Sequence, residues 1–291
     1  MTDDPFVTHR SLLFTVAYEM LGSAVDAEDV LQESWLRWAD VARDDVRDPR
    51  AYLVRIVTRQ ALNHLRSVSR RRESYVGEWL PEPLLTSPDV ADDVELAESV
   101  SIAMLTVLET LGPTERAVFV LHEVFDVPYD EIAVAVDKSP AAVRQIAHRA
   151  KDHVAARRPR MEVVDAEHER VVAQLVAALN TGDVQGLMDV LAPDVVSVAD
   201  GGGKVRGAAL RPIIGADRIA RYLVGGLAKT PGEVVAAPAW LNGHPGIRVE
   251  LDGQLAGVVS LTIEGGRITR IFSMANPDKL GWVGTEAELA R

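Results

Sequence analysis

Six residues, Tyr52, Arg55, Arg59, Asn63, Arg66 and Arg70, recur at steps of three and four, the spacing that stacks side chains along one face of a helix. Guanidinium groups fork onto phosphate oxygens, and aromatic or amide groups hold unstacked bases. From Pro49 to Arg72 there are seven arginines and no acid. A solvated face usually mixes signs, so this stripe reads as a polyanion contact. From Arg144 to Arg160 a second island carries six basic residues against one acid, Asp152. Its outward side, Arg144, Gln145, His148, Arg149 and Lys151, has the residue types that read base edges in the major groove.

The pattern around these residues is helical. Leu12, Leu13, Val16, Ala17 and Met20 keep helical spacing until Gly22 breaks it. A second helix is expected from near Asp26, whose side chain can cap the first turn. It puts Ala27, Leu31, Trp35 and Trp38 on one face and Glu28, Asp29, Gln32 and Glu33 on the other. The basic helix after Pro49 buries Leu53, Val57, Ala61, Leu65 and Val68. Residues 99–158 are helical again and end in a helix-turn-helix pattern. Pro128 to Val136 is its short first helix and Asp137-Lys138 its turn. Ser139-Pro140 then supplies an N-cap and a proline at the first helical position.

Taken alone, 31 Lys+Arg against 43 Asp+Glu, a net charge of −12, argues against a nucleic-acid binder. The charge is segregated, however, and that reverses the inference. The two basic islands are separated by Asp89, Asp92, Asp93, Glu95 and Glu98 with no base among them. The absence of cysteine excludes disulfides, thiolate zinc sites and thiol switches. The seven histidines show no ligand spacing, and no phosphate-loop, nucleophile-elbow or dinucleotide motif occurs, so neither metal nor cofactor is expected. No apolar run reaches a membrane span and Met1–Arg10 is polar, so a cytoplasmic protein without a signal peptide is expected.

Residues 73–98 hold three prolines and read as a linker. Its apolar piece, Trp79-Leu80-Pro81-Glu82-Pro83-Leu84, is extended by its proline spacing and needs something to cover it. From about Met161 the pattern is α+β. Helices over 162–180 and 183–191 precede strands at Val195–Ala199, Val234–Leu241, Ile247–Leu251, Leu255–Ile263 and Ile268–Ser273. Asn242-Gly243, Asp252-Gly253 and Gly265-Gly266 are hairpin turns between them, so an antiparallel sheet is expected. Asp200, Asp278 and His244 are candidate general bases, with Lys204 or Lys279 as electrophilic partners. Asp200 beside a glycine run is more often a turn residue satisfying the amides of Gly201–Gly203. Trp240, Tyr222 and Phe272 would line a pocket or simply fill core.

Taken together, these blocks resemble the group-4, extracytoplasmic-function RNA polymerase sigma factors. Specifically, they resemble the group that carries a fused SnoaL-like cone domain. The resemblance rests on the Asp26–Trp38 helix, the basic helix and the helix-turn-helix. It also rests on three short motifs in order: Trp79–Leu84, Asp200-Gly201-Gly202-Gly203-Lys204 and Asn276-Pro277-Asp278-Lys279-Leu280. The resemblance implies two all-α sigma domains followed by an α+β domain. Residues 1–73 would be sigma-2, 74–98 a linker, 99–158 sigma-4 and 161–291 the SnoaL-like regulatory domain.

The site roles follow by the same route. Glu28, Asp29, Gln32 and Glu33 would meet the β′ coiled coil of core polymerase. Tyr52, Arg55, Arg59, Asn63, Arg66 and Arg70 would capture and melt the −10 element. Ser139, Arg144, Gln145, His148, Arg149 and Lys151 would bind the −35 element. Ile146 stands where most such factors carry a hydrogen-bonding residue, so the family's −35 preference does not transfer. The three motifs, including Trp79, Leu80 and Pro81, would regulate. A non-enzymatic, monomeric stress-response sigma factor is therefore expected, its partners core polymerase, promoter DNA and an unidentified small molecule in the C-terminal domain. The alternatives are a ligand-responsive helix-turn-helix regulator and a SnoaL-type isomerase or cyclase with a DNA-binding appendage. The acidic Asp26–Trp38 helix, which neither needs, argues against both.

Overall fold

The computed structural model describes residues 4–42, 46–72, 75–158 and 166–291; the side chains of residues 68–72, Val68 and Arg70 among them, fall outside that description. Two compact units emerge: Met1–Glu73 with Met104–Arg158 and Glu288–Arg291, and Ser74–Ala103 with Pro159–Ala287. The first helices are α1 (Pro5–Thr8), α2 (Arg10–Leu21), α3 (Ala24–Ala39) and α4 (Pro49–Arg72). They are followed by α5 (Val94–Val100), α6 (Ile102–Leu108), α7 (Pro113–Phe119), α8 (Tyr129–Val136) and α9 (Pro140–Ala155). No helix among the described residues is long and apolar enough to cross a membrane.

In the first unit, α2 stops where Gly22 turns left-handed at φ 67°. Helix α3 then starts earlier than expected. Ser23, not Asp26, is the N-cap, its Oγ accepting from the Asp26 amide at 3.1 Å. A Ser one turn upstream leaves Asp26 inside the helix, where its carboxylate lies 3.1 Å from His64 of α4. Leu53, Val57, Ala61 and Leu65 of α4 are buried as their spacing requires, alongside Val54 and Leu62. Arg116 of α7 is buried with them. Its Nε donates to the Glu19 carbonyl at 2.9 Å and its Nη1 to Glu109 at 2.6 Å. Burial pulls its pKa down while the Glu19 charge opposes the shift. A π-helical turn, Val120–Val124, continues α7. Asp137 ends α8 in the left-handed region at φ 55°, and Ser139 Oγ caps α9 by accepting from the Ala142 amide at 3.2 Å.

The second unit holds α10 (Ala166–Thr181), α11 (Val184–Val190), β1 (Leu191–Asp200), β2 (Ile213–Ile214) and α12 (Ala216–Leu227). It continues with β3 (Val234–Leu241), β4 (His244–Leu251), β5 (Gln254–Glu264) and β6 (Arg267–Met274). Residues 162–165, where the first helix was expected to begin, lie outside the described residues. The sheet runs β2-β1-β6-β5-β4-β3. All three expected hairpin turns form, each with both central residues at positive φ, as right-handed strand twist favours.

Two expectations need correction. The sheet is mixed rather than antiparallel: β1 pairs parallel to β6, which the intervening elements allow by returning the chain to the same end. The 183–191 helix stops at Val190, and Leu191 already belongs to β1. Helix α12, with Gly215 as its N-cap and Gly225-Gly226 near its end, was not among the expected elements. Val171, Leu175 and Leu187 of α10 and α11, with Ile219 of α12, pack against Ile247, Leu261 and Ile271 of the sheet. This α+β layer is what the SnoaL-like resemblance implied.

Candidate functional site

Along α4, Arg59, Asn63 and Arg66 are exposed and Tyr52 and Arg55 half-buried. The Tyr52 ring sits 5.9 Å from that of Trp38, which fixes it, and the Arg55 guanidinium lies 4.8 Å over its face. Arg59 Nη2 donates to the Val134 carbonyl of α8 at 2.8 Å. A cleft of about 760 Å³ lies beside this contact, lined in part by Tyr52, Arg55, Asp130 and Glu131. The side chain of Arg70 is outside the described set.

On α3, Asp29, Gln32 and Glu33 face solvent, while Glu28 is half-buried and paired with Arg10. Gln60 Nε2 donates to Glu33 at 2.6 Å, so only part of the acidic face is unengaged. Trp35 does not share the burial of Leu31 and Trp38. It is 37% exposed and meets Phe6 edge-on at 5.2 Å.

On α9, Arg144, Gln145, His148, Arg149 and Lys151 are exposed on one side. Arg144 lies 5.9 Å from the Tyr129 ring centroid, His148 pairs with Asp152 at 2.9 Å, and Lys151 pairs with Glu123 at 2.7 Å. The hydrogen bond and charge of Glu123 raise the Lys151 pKa. Ile146 is buried. It belongs to the core side of α9. Ser139, exposed, serves the helix as its cap.

A dense polar cluster lies in the second unit, around Asp200 at the end of β1. Its Oδ1 accepts from the Tyr75 hydroxyl at 2.5 Å and from the Gly202 amide at 3.1 Å. Its Oδ2 accepts from the Leu80 amide at 2.9 Å and from Lys279 Nζ at 2.7 Å. The same Nζ donates to the Leu80 carbonyl at 2.5 Å and stands 3.2 Å from the Trp79 ring centroid. Both backbone groups of Leu80 are thus gripped by one ion pair whose side chains are 4% and 0% exposed.

Asn276 Nδ2 donates to the Tyr75 hydroxyl at 2.8 Å, and Asp278 pairs with Lys204. Burial, then the Asp200 carboxylate, push the Tyr75 phenol well above its ordinary pKa, so it remains a donor. Gly202 and Gly203 sit at φ 59° and 69°. A Cβ on Gly202 would strike Asn276 at 2.4 Å, so the loop needs glycine there both for conformation and for approach. The three sequence motifs therefore converge, whereas His244 lies apart from them.

Farther along the linker, Asn242 of the β3–β4 turn repeats the grip. It accepts from the Leu84 amide at 2.9 Å, donates its own amide to the Leu84 carbonyl at 3.0 Å, and donates Nδ2 to Val100 at 2.8 Å. Leu85 forms isolated bridges with Leu241 and Glu286. Leu80 and Leu84 are fully buried and Trp79 is half-buried, so the apolar linker piece is covered. Sequence reading missed Tyr75 and Asn242. Tyr75 lies one helical turn's spacing before Trp79, an aromatic pair at the head of the linker that was the available signal.

Residues 6–71 match the family model Sigma-70 region 2, and residues 101–154 match Sigma-70, region 4. These are the segments that carry the α4 stripe and the helix-turn-helix, and they define an RNA polymerase sigma factor. The chain belongs to the extracytoplasmic-function (ECF) RNA polymerase sigma factors, which direct core polymerase to promoters. It is 38% identical over 292 aligned positions to the ECF RNA polymerase sigma factor SigJ of Mycobacterium tuberculosis, covering 94% of this chain and 91% of that protein. It is 34% identical over 275 positions to the probable ECF sigma factor SigI of the same species, covering 94% and 92%. The crystal structure of M. tuberculosis SigJ superposes with a TM-score of 0.75 at 35% identity, covering 97% of this chain and 98% of that one.

Proposed function

We propose that this sigma factor is controlled in cis, its linker being held by the SnoaL-like domain through the Asp200–Lys279 pair. The observation that carries the reading is the double hold on Leu80, amide to carboxylate and carbonyl to ammonium. A linker joining sigma-2 (residues 1–73) to sigma-4 (residues 99–158) sets how far the two can separate on a promoter. Gripping residues 75–86 removes that length from the linker. Asp200-Gly201-Gly202-Gly203-Lys204 supplies the acid and its turn, and Asn276-Pro277-Asp278-Lys279-Leu280 supplies the base. The four donors around Asp200 support a structural role rather than that of a general base, so the reading assigns no turnover to the domain.

In the same reading Glu28, Asp29, Gln32 and Glu33 meet the β′ coiled coil. The α4 stripe from Tyr52 to Arg70 takes the −10 element, and the α9 face, capped by Ser139, takes the −35 element. The exposure of Asp29, Arg59, Arg66, Arg144 and Arg149 supports these roles. The free chain is then a cytoplasmic monomer, and a small molecule in the C-terminal domain would act by loosening the grip. Run-off transcription with purified core polymerase tests the proposal by comparing the parent with Asp200→Asn and Lys279→Met. Transcription changes in both variants while core binding holds; unchanged transcription in both overturns it.

A further inference from the structure

Apart from Lys204 of the Asp200–Lys204 motif, one charged stretch is used by none of these roles. Lys204, Arg206, Arg211, Arg218, Arg221 and Lys229 stand against a single acid, Asp217, within 26 residues of a chain whose net charge is −12. All six basic residues are exposed. Lys204 is engaged by Asp278, and Arg221 Nε by Asp217 at 2.8 Å. Arg206, Arg211 and Arg218 form no ion pair or side-chain hydrogen bond among the described residues.

The fold gathers them. The Tyr222 hydroxyl of α12 donates to the Gly207 carbonyl at 2.9 Å and accepts from the Ala209 amide at 3.0 Å, which folds the loop carrying Arg206 back over the helix. Arg218 lies one turn before Tyr222 on the same face of α12. The short strand β2 and Gly215 bring Arg211 to the N-terminal end of α12. Ile219 and Ala220 are buried and Leu223 packs on the core, which fixes the arginine-bearing face outward.

We propose that this α12 face binds the backbone of duplex DNA without sequence preference, adding phosphate contacts from the SnoaL-like domain to those of the sigma domains. Three unpaired guanidinium groups suit phosphate oxygens, which they can grip with paired donors. A sigma factor on a promoter holds this face at high local concentration of phosphate, so contacts too weak to act alone still count. A membrane surface fits less well, since Val205, Leu210 and Ile214, at 37%, 58% and 58% exposed, are the large apolar side chains the patch offers and the apolar side of α12 is spent on the core. The inference does not depend on the linker grip.

The test is a salt titration of promoter affinity for holoenzyme reconstituted from the full chain and core polymerase. The variant Arg206→Ala/Arg211→Ala/Arg218→Ala should lower the slope of log affinity against log salt by about 2.7, so the fall in affinity between 50 and 200 mM salt shrinks about 40-fold. The triple Arg→Lys variant should keep the parental slope, because backbone contacts need charge rather than sequence-reading geometry. Core binding and the thermal midpoint should match the parent. Should the triple variant unfold early, Arg218→Ala alone should still lower the slope by about 0.9. An unchanged slope overturns the proposal. So does loss of core binding in the alanine variant, or capture of the parent by anionic vesicles with the DNA slope unaltered.

Discussion

Replacing Lys279 by methionine isolates the charge that closes the linker grip, because methionine keeps an unbranched apolar stem. The Lys279 side chain is 4% exposed and its partner Asp200 fully buried, so the variant leaves a carboxylate without its cation in a dry site. Removing one member of a buried pair costs about 3–5 kcal/mol. Loss of the contact over the Trp79 ring at 3.2 Å belongs to the same figure rather than adding to it. For a unit of 150–250 residues each kcal/mol lowers the melting midpoint by about 2–4 °C, giving a fall of roughly 6–20 °C. Calorimetry on the full chain reads that fall, and hydrogen exchange at the Leu80 amide reads the grip itself. Lys279→Met combined with Asp200→Asn removes both charges and should lose less than the two single changes added together. A loss under about 1 kcal/mol with the Leu80 amide still protected would refute the reasoning, since the pair would then not hold the linker.

Two further predictions concern other sites. Burial holds the His244 imidazole below its ordinary pKa; the Asn242 carbonyl opposes this, His168 adds to it, and Glu98 opposes it. The folded chain therefore binds fewer protons than the unfolded one in mild acid. Its stability is full above about pH 6.5 and falls with acidification by at most about 1.4 kcal/mol per pH unit from this group. Melting curves at pH 7.5 and 5.5 should show a smaller acid loss for His244→Phe; parallel losses would dismiss His244 as the cause. On the first unit, Arg55→Ala and Arg59→Ala should each lower the salt slope of promoter binding by about 0.9 and slow open-complex formation while core affinity holds. Asp29→Lys should weaken core binding several-fold instead. Loss of core binding alone in both sets would break this division of labour.

Much of the architecture was legible because it rests on local chemistry. The α4 spacing fixed a buried stripe and a basic one, and Ser139-Pro140 marked the start of α9 to the residue. The paired turn residues placed three hairpins, since asparagine, aspartate and glycine are the residues that tolerate positive φ. Failures came where a decision lay outside the local window. Ser23 and Asp26 are both competent caps, and the structure uses the first, with Asp26 meeting His64 of α4 instead. The parallel β1–β6 pairing joins residues some 75 positions apart, which no local pattern encodes.

The sequence by itself determined the segregation of charge into two basic islands and an acidic face. It also determined the helical and hairpin periodicities, and the three short motifs on which the resemblance to sigma factors with a fused SnoaL-like domain rests. Those are properties of residue type and spacing. Only the tertiary structure decided that the motifs form one site. It took Tyr75, Leu80, Asp200, Asn276 and Lys279, spread over 200 residues, and closed them around one backbone unit of the linker. It also decided that Leu80 and Leu84 are buried, and that Arg206, Arg211 and Arg218 stand exposed. The reason is physical: a buried charge must find its partners wherever the fold supplies them, and that requirement is met in space rather than along the chain.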